Sequence, residues 1–138
     1  MKVAIVYESE TGRTRAAAQE MAEMVRAAGH ECTVQSVQEA DAAAVSAADA
    51  ICVGCWTKGL FIVAQRPTDR ALIFIDRLGP FEGKPAAVFV TYKLAVGSTL
   101  KQLSTRLERR GATVTGQFKS RGPHAAKGFA DWVRALGT

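Results

Sequence analysis

The chain has 138 residues, a formal net charge of +5 and a sequence pI near 9.4, a length that fits one domain able to bury a core without metal or disulfide staples. Its longest wholly apolar runs, such as Leu60-Phe61-Ile62-Val63-Ala64, fall far short of the ~20 residues of a membrane span, and Met1-Lys2 leads straight into a strand pattern rather than a signal peptide, so a cytoplasmic protein is expected. Three cysteines, an odd number with no export signal, do not describe a disulfide framework.

The first element is an apolar strand over residues 3–7. It breaks at Glu8 into Ser9-Glu10-Thr11-Gly12-Arg13-Thr14 and runs directly into a helical pattern. Hydroxyl side chains and unpaired backbone N–H groups converge at such a helix start, where the helix dipole also favours an anion. The helix carries Ala17, Met21, Met24, Val25 and Ala28 on one stripe, and Gly29 stops it. Further strands are expected at residues 31–37, 50–54, 85–92 and 113–118, with a short alanine-rich helix near 42–48. Residues 67–78 are read as a helix starting at Pro67, although Leu72-Ile73-Phe74-Ile75 also suits a strand. Leu100, Leu103 and Leu107 form a stripe entered through Ser98 and ended by Gly111. Phe129, Trp132, Val133 and Leu136 form the last, with His124 at its start. Alternating strands and helices specify a parallel sheet covered on both faces.

Ligands of such sheets bind at the carboxyl ends of the strands. Three loops lie there: residues 9–14, then Gly54-Cys55-Trp56-Thr57-Lys58-Gly59, then Thr91-Tyr92-Lys93-Leu94-Ala95-Val96-Gly97. Other phosphate-binding patterns are missing: no Gly-x-Gly-x-x-Gly follows the first strand, and no Gly-x-x-x-x-Gly-Lys-Ser/Thr occurs. Receiver domains of two-component signalling share this strand order but need an acidic pair after the first strand and an Asp ending the third, where this chain has Gly54 and Cys55.

The order of an apolar strand, Ser9-x-Thr11-Gly12-x-Thr14 and a helix resembles the phosphate loop of the flavodoxin family, and the resemblance extends over essentially the whole chain. It implies a flavodoxin-like three-layer α/β sandwich, with a five-stranded parallel sheet of order 2-1-3-4-5 and helices on both faces, in a single domain over residues 1–138. The fifth strand has no long insertion, as in short-chain members. The implied cofactor is flavin mononucleotide (FMN), bound without a covalent bond. Its phosphate would be held by Ser9, Glu10, Thr11, Gly12, Arg13 and Thr14. Its ring would be held by Cys55, Trp56, Thr57, Lys58 and Gly59 on one side and by Thr91, Tyr92, Lys93 and Gly97 on the other. Gly59 falls on the family's redox switch, where the peptide after Lys58 turns its carbonyl toward flavin N5; glycine tolerates both orientations. The same residues also serve as a plain helix cap and a turn glycine in proteins without a ligand.

The chain departs from the family pattern in places. Arg13 stands where Asn is usual. Lys58 stands where a ring-stacking side chain is common, and Leu94 where short-chain relatives often have Trp. Each missing aromatic weakens flavin binding up to about tenfold. Flavodoxins are typically acidic, whereas residues 93–138 carry nine Lys/Arg against Glu108 and Asp131, a balance of +7, and residues 1–92 carry a balance of −2. Arg106, Arg109, Arg110, Lys119, Arg121 and Lys127 form either a docking surface for an acidic partner or a solvated face. No nucleic-acid module accompanies the charge.

The resemblance implies a redox carrier between two protein partners, a reductase and an acceptor; Leu60 and Phe61, just beyond the ring loop, offer partners an apolar landing site, and Lys58 and Lys93, where they face the flavin, raise the potential of the second reduction step above the family norm. Two alternatives stay open. One is a flavin-dependent oxidoreductase acting on a quinone or porphyrinogen, with substrate admitted at Leu94. The other is a flavin-free interaction module. Cys52-Val53-Gly54-Cys55 is formally a Cys-x-x-Cys, but extended chain sends the two side chains to opposite faces. Cys32 reads as a small buried hydrophobe, and His30 and His124 as caps or surface residues.

Overall fold

Strands β1 (Lys2–Tyr7), β3 (Ala50–Trp56) and β6 (Pro85–Thr91) are almost continuously buried, whereas β2 (Glu31–Ser36) alternates between exposed and half-buried residues. Strand β7 (Thr113–Ser120) follows a similar alternation to β2. The difference dictates position: near-continuous apolar strands need cover on both faces, and alternating strands suit edges. The computed structural model, which describes residues 1–10, 12–60, 63–92, 96–121 and 123–137 and gives only the backbone for 58–60 and 63–66, has the order β2-β1-β3-β6-β7 with every neighbouring pair parallel. This is the expected 2-1-3-4-5 order, counting only the strands of the main sheet.

Helices α1 (Arg13–Ala27) and α5 (Phe129–Ala135) cover one face of the sheet. Met21, Val25, Phe129 and Trp132 pack there against Val3, Ile5 and Phe89. Helices α2 (Ala42–Ser46), α3 (Asp69–Asp76) and α4 (Thr99–Arg109) cover the other, where Phe74, Ile75, Leu103 and Leu107 pack against Ile51, Val53 and Val88. The three stripes are largely as the spacing predicts. Ala28, however, lies past the end of α1 and is exposed, while Met24 and Leu100 are only partly buried. Gly29 and Gly111 end their helices at φ +91°, a backbone region that costs a residue with a Cβ.

Several boundaries differ from the sequence reading. The segment 67–78 is helical, but the chain enters α3 through Thr68, whose hydroxyl accepts the Ala71 N–H at 3.3 Å; a capping hydroxyl, not Pro67, sets the start. Ser98 occupies the position before α4 without capping it; its Oγ instead accepts from Gln102 Nε2 at 2.8 Å. Helix α5 starts at Phe129 after Gly128 at φ +92°, so His124 precedes it. His124 is exposed, with Nδ1 3.3 Å from Glu20 Oε2. His30 is buried rather than on the surface, its Nδ1 3.3 Å from the amino terminus.

The largest difference follows β3, which continues through Cys55 and Trp56 instead of ending at Gly54. Strands β4 (Lys58–Leu60) and β5 (Val63–Arg66) then form an antiparallel ribbon in place of a simple loop. An apolar run interrupted by no turn residue gives little periodicity from which to read a hairpin.

Candidate functional site

At the carboxyl end of β1 the backbone leaves the sheet through Glu8, whose N–H donates to the Gly54 carbonyl at 2.9 Å. Ser9 Oγ then accepts the N–H groups of Gly12 at 3.0 Å and Arg15 at 3.4 Å, folding the turn back on the helix start. Gly12 has φ +90°, and no atom lies within 4 Å of the place a Cβ would take. The space beside Gly12 is therefore open, and the first-turn N–H groups of Arg13 and Thr14 have no acceptor within the helix itself. Glu10 and Arg13 are exposed, and Thr11 lies outside the described residues.

Thr14 connects this turn to the next element. Its buried hydroxyl lies 2.6 Å from the buried hydroxyl of Thr91, the last residue of β6. The Thr91 carbonyl accepts the N–H of Thr57 at 3.1 Å, and the Tyr92 N–H donates to the Ser120 carbonyl at 3.1 Å. The three segments singled out in the sequence thus meet at one end of the sheet. Among the predicted residues, Ser9, Gly12, Thr14, Thr57, Thr91 and Tyr92 are joined by these bonds to one another or to the strand ends. Gly97 lies just before α4, at φ +57°.

Other predicted residues stand differently. Cys55 is fully buried in the core on the face of the sheet covered by α3 and α4, so its thiol is a core group rather than an exposed loop side chain. Lys58 and Gly59 are in β4, not in a turn. The ribbon register shifts between Lys58 and Leu60, leaving Gly59 at the irregular position, where an unpaired glycine peptide has the most freedom. Lys93, Leu94 and Phe61 lie outside the described residues. Trp56 ends β3 half-buried, and its indole Nε1 is buried with no acceptor among the described residues. A buried N–H without a partner is a donor awaiting an acceptor.

Burial governs the titratable groups nearby. Burial pushes the Cys55 thiol up to about 12, with the Thr68 backbone acting against it and Glu8 adding to it. Burial also raises Cys52, which lies in the core on the opposite face of the sheet, well above its usual value. The formal Cys-x-x-Cys is therefore two separated, protonated thiols. Cys32 is half-buried and is raised to about 11, again by burial.

A family model described as flavodoxin matches residues 5–134. The chain belongs to the flavodoxin family. It is 31% identical over 116 residues to the flavodoxin of Megasphaera elsdenii, a match covering 83% of this chain and 82% of that one. The solution structure of the two-electron reduced M. elsdenii flavodoxin superposes with a TM-score of 0.79 at 28% identity, over 97% of each chain. Oxidised flavodoxin 2 of Bacillus cereus shares the fold, with a TM-score of 0.77 at 24% identity over 99% of this chain and 97% of that one.

Flavodoxins are FMN-binding electron-transfer proteins, and FMN is the cofactor of this chain. The residues present fit it. The open space beside Gly12 and the N–H groups of Arg13 and Thr14, which have no acceptor among the described residues, suit a phosphate, and the Trp56 indole N–H, without an acceptor among the described residues, suits an acceptor on a ring. Two residues near the site were not singled out for it in the sequence. Glu8 is a carboxylate only 7% exposed at the end of β1, legible at most as an acid closing an apolar strand. Arg121, just past the end of β7, stands in the sequence only as one of many cations in a basic half.

Proposed function

We propose that this flavodoxin carries electrons between two protein partners, a reductase and an acceptor, as a single cofactor-binding domain spanning residues 1–138. When bound, FMN supplies the reversible one- and two-electron chemistry. Ser9, Glu10, Thr11, Gly12, Arg13 and Thr14 hold the phosphate, chiefly through backbone N–H groups and hydroxyls. Cys55 and Gly59 contribute backbone, Trp56 its indole N–H, and Thr57 and Lys58 their place on the ribbon side of the ring. Thr91, Tyr92, Lys93 and Gly97 border the opposite side.

The observation that supports this reading is the Thr14–Thr91 hydroxyl pair, which ties the loop after β1 to the loop after β6. The net positive charge of residues 93–138 supports an acidic face on at least one partner. The three free thiols suit a reducing compartment such as the cytoplasm, and among the described residues no helix is long and apolar enough to cross a membrane.

An FMN titration followed by quenching of flavin fluorescence tests the site, with saturable binding at micromolar FMN or below expected. Rapid-mixing electron transfer to an acidic redox protein, with a rate that falls as salt is added, tests the carrier role. Steady turnover of a quinone with no protein partner would instead establish a self-contained oxidoreductase.

A further inference from the structure

The cations of the C-terminal half are not equivalent. Arg106 is paired with Asp76 at 2.8 Å, Arg134 with Asp131, and Arg110 Nε donates to the Leu78 carbonyl at 2.6 Å. Arg121 has no carboxylate partner among the described residues. Its guanidinium carbon lies 5.4 Å from the centroid of the Tyr92 ring, a cation–π contact. Its carbonyl accepts from Arg13 Nη1 at 3.5 Å, and the preceding carbonyl, that of Ser120, accepts the Tyr92 N–H. The end of β7 is thereby tied to both loops of the cofactor site: to the phosphate turn through Arg13 and to the ring loop through Tyr92.

We propose that Arg121 is a positioning and charge-setting residue for the flavin, a fourth segment of the site at the end of β7. The inference rests on the reading that Tyr92 belongs to the ring-holding loop. One face of the Tyr92 ring is taken by the guanidinium, which fixes the ring's orientation and leaves the opposite face for the cofactor. The contact holds the half-buried Tyr92 ring in one orientation, and no Trp stands at position 94 to substitute for it. The guanidinium also places a permanent positive charge at the rim. A positive charge stabilises a neighbouring group more as that group becomes more negative, so Arg121 favours the reduced cofactor over the oxidised one.

Substitution at this exposed residue separates the two effects. Arg121→Gln removes the charge and the strong ring contact. Arg121→Lys keeps the charge but loses the planar stacking surface. In the full-length chain, Arg121→Gln is expected to weaken oxidised FMN binding about two- to fivefold, the order of an exposed cation–π contact. It is also expected to flatten the salt dependence of binding and move the midpoint potential to a more negative value. Arg121→Lys is expected to restore the potential and the salt dependence while leaving part of the affinity loss.

Tyr92→Leu is the companion variant. If it weakens FMN binding while Arg121→Gln leaves affinity, salt dependence and potential at wild-type values, the role of Arg121 is overturned and the placement of Tyr92 stands. If Tyr92→Leu itself leaves FMN binding unchanged, the reading of the ring loop fails and the inference fails with it.

Discussion

Thr14 Oγ1 and Thr91 Oγ1 lie 2.6 Å apart, both buried, and join residues 77 positions apart in sequence. One hydroxyl is on the first turn of α1 and the other on the last residue of β6, so the bond spans the gap between the phosphate turn and the ring loop. Among the described residues each hydroxyl is the other's side-chain partner, in a place water does not reach. Thr14→Val strands the Thr91 hydroxyl, and Thr91→Val strands that of Thr14. A buried polar group left without a partner costs about 1–3 kcal/mol. Each single variant is expected to lower unfolding stability by that order and to weaken FMN binding about tenfold, measured by urea denaturation and by fluorescence titration. The double Val variant, which leaves no orphan, is expected to lose less stability than the sum of the two. Strict additivity would show that the pair is not a coupled unit.

The turn into α1 is legible because its chemistry is local: hydroxyls, a glycine and a helix start follow one another between Ser9 and Thr14. The central strands were legible because burial on both faces leaves them almost wholly apolar, as in Ile51, Cys52 and Val53. The ribbon of β4 and β5 was not legible, since its pairing is set by tertiary context and no turn residue marks its tip. Gly54 is a reasonable place for a strand to stop, so the sequence alone puts Cys55 in a loop. In the fold Gly54 continues the strand, and its lack of a side chain answers to a ring on β6. Arg121 was invisible as a site residue for a related reason: its relation to Tyr92 comes from adjacent strand ends, not from sequence proximity.

That ring is Phe89, the register partner of Gly54. A Cβ built on Gly54 would lie 2.0 Å from Phe89 Cζ, and Phe89 is fully buried with nowhere to retreat. Gly54→Ala is therefore expected to destabilise the fold by about 1–3 kcal/mol, the usual cost of overpacking a core. The shift in urea midpoint measures it. Gly54→Ala combined with Phe89→Leu is expected to recover part of the loss. A single variant as stable as wild type would mean that the Phe89 ring swings aside at no cost.

The thiols give a prediction about reactivity. With Cys55 raised to about 12 and Cys32 to about 11 by burial, the thiolate fraction at pH 8 is roughly one part in ten thousand and one part in a thousand respectively, and it is the thiolate that reacts. Cys52 is raised and fully buried. A thiol-reactive dye at pH 8 is expected to label Cys32 slowly and to leave Cys52 and Cys55 untouched until denaturant is added, when all three react. Fast labelling of Cys55 in the folded protein, or recovery of a Cys52–Cys55 disulfide under mild oxidant, would contradict the separation of the pair across the sheet.

Glu8 makes stability depend on pH with a definite sign. Burial raises its carboxyl above the ordinary value of 4.5, against the opposing pull of the Arg70 guanidinium on α3 and a hydrogen bond with Gln38. The buried Cys55 thiol on β3 lies near enough to feel its charge, and Glu8 Oε2 has no hydrogen-bond partner among the described residues. The folded state therefore binds this proton more tightly than the unfolded state does. Where the folded protein holds more protons, stability falls as pH rises. The penalty is absent below 4.5, grows as pH rises from there through the raised folded value, and is complete above it. Glu8→Gln removes the ionisation, so the variant is expected to be more stable than wild type at pH 7 to 8, with the gap closing as pH is lowered toward 4.5. Urea denaturation of both proteins across pH 4 to 8 measures the gap. A gap that widens on acidification would show instead that Arg70 outweighs burial and that Glu8 contributes as a paired carboxylate.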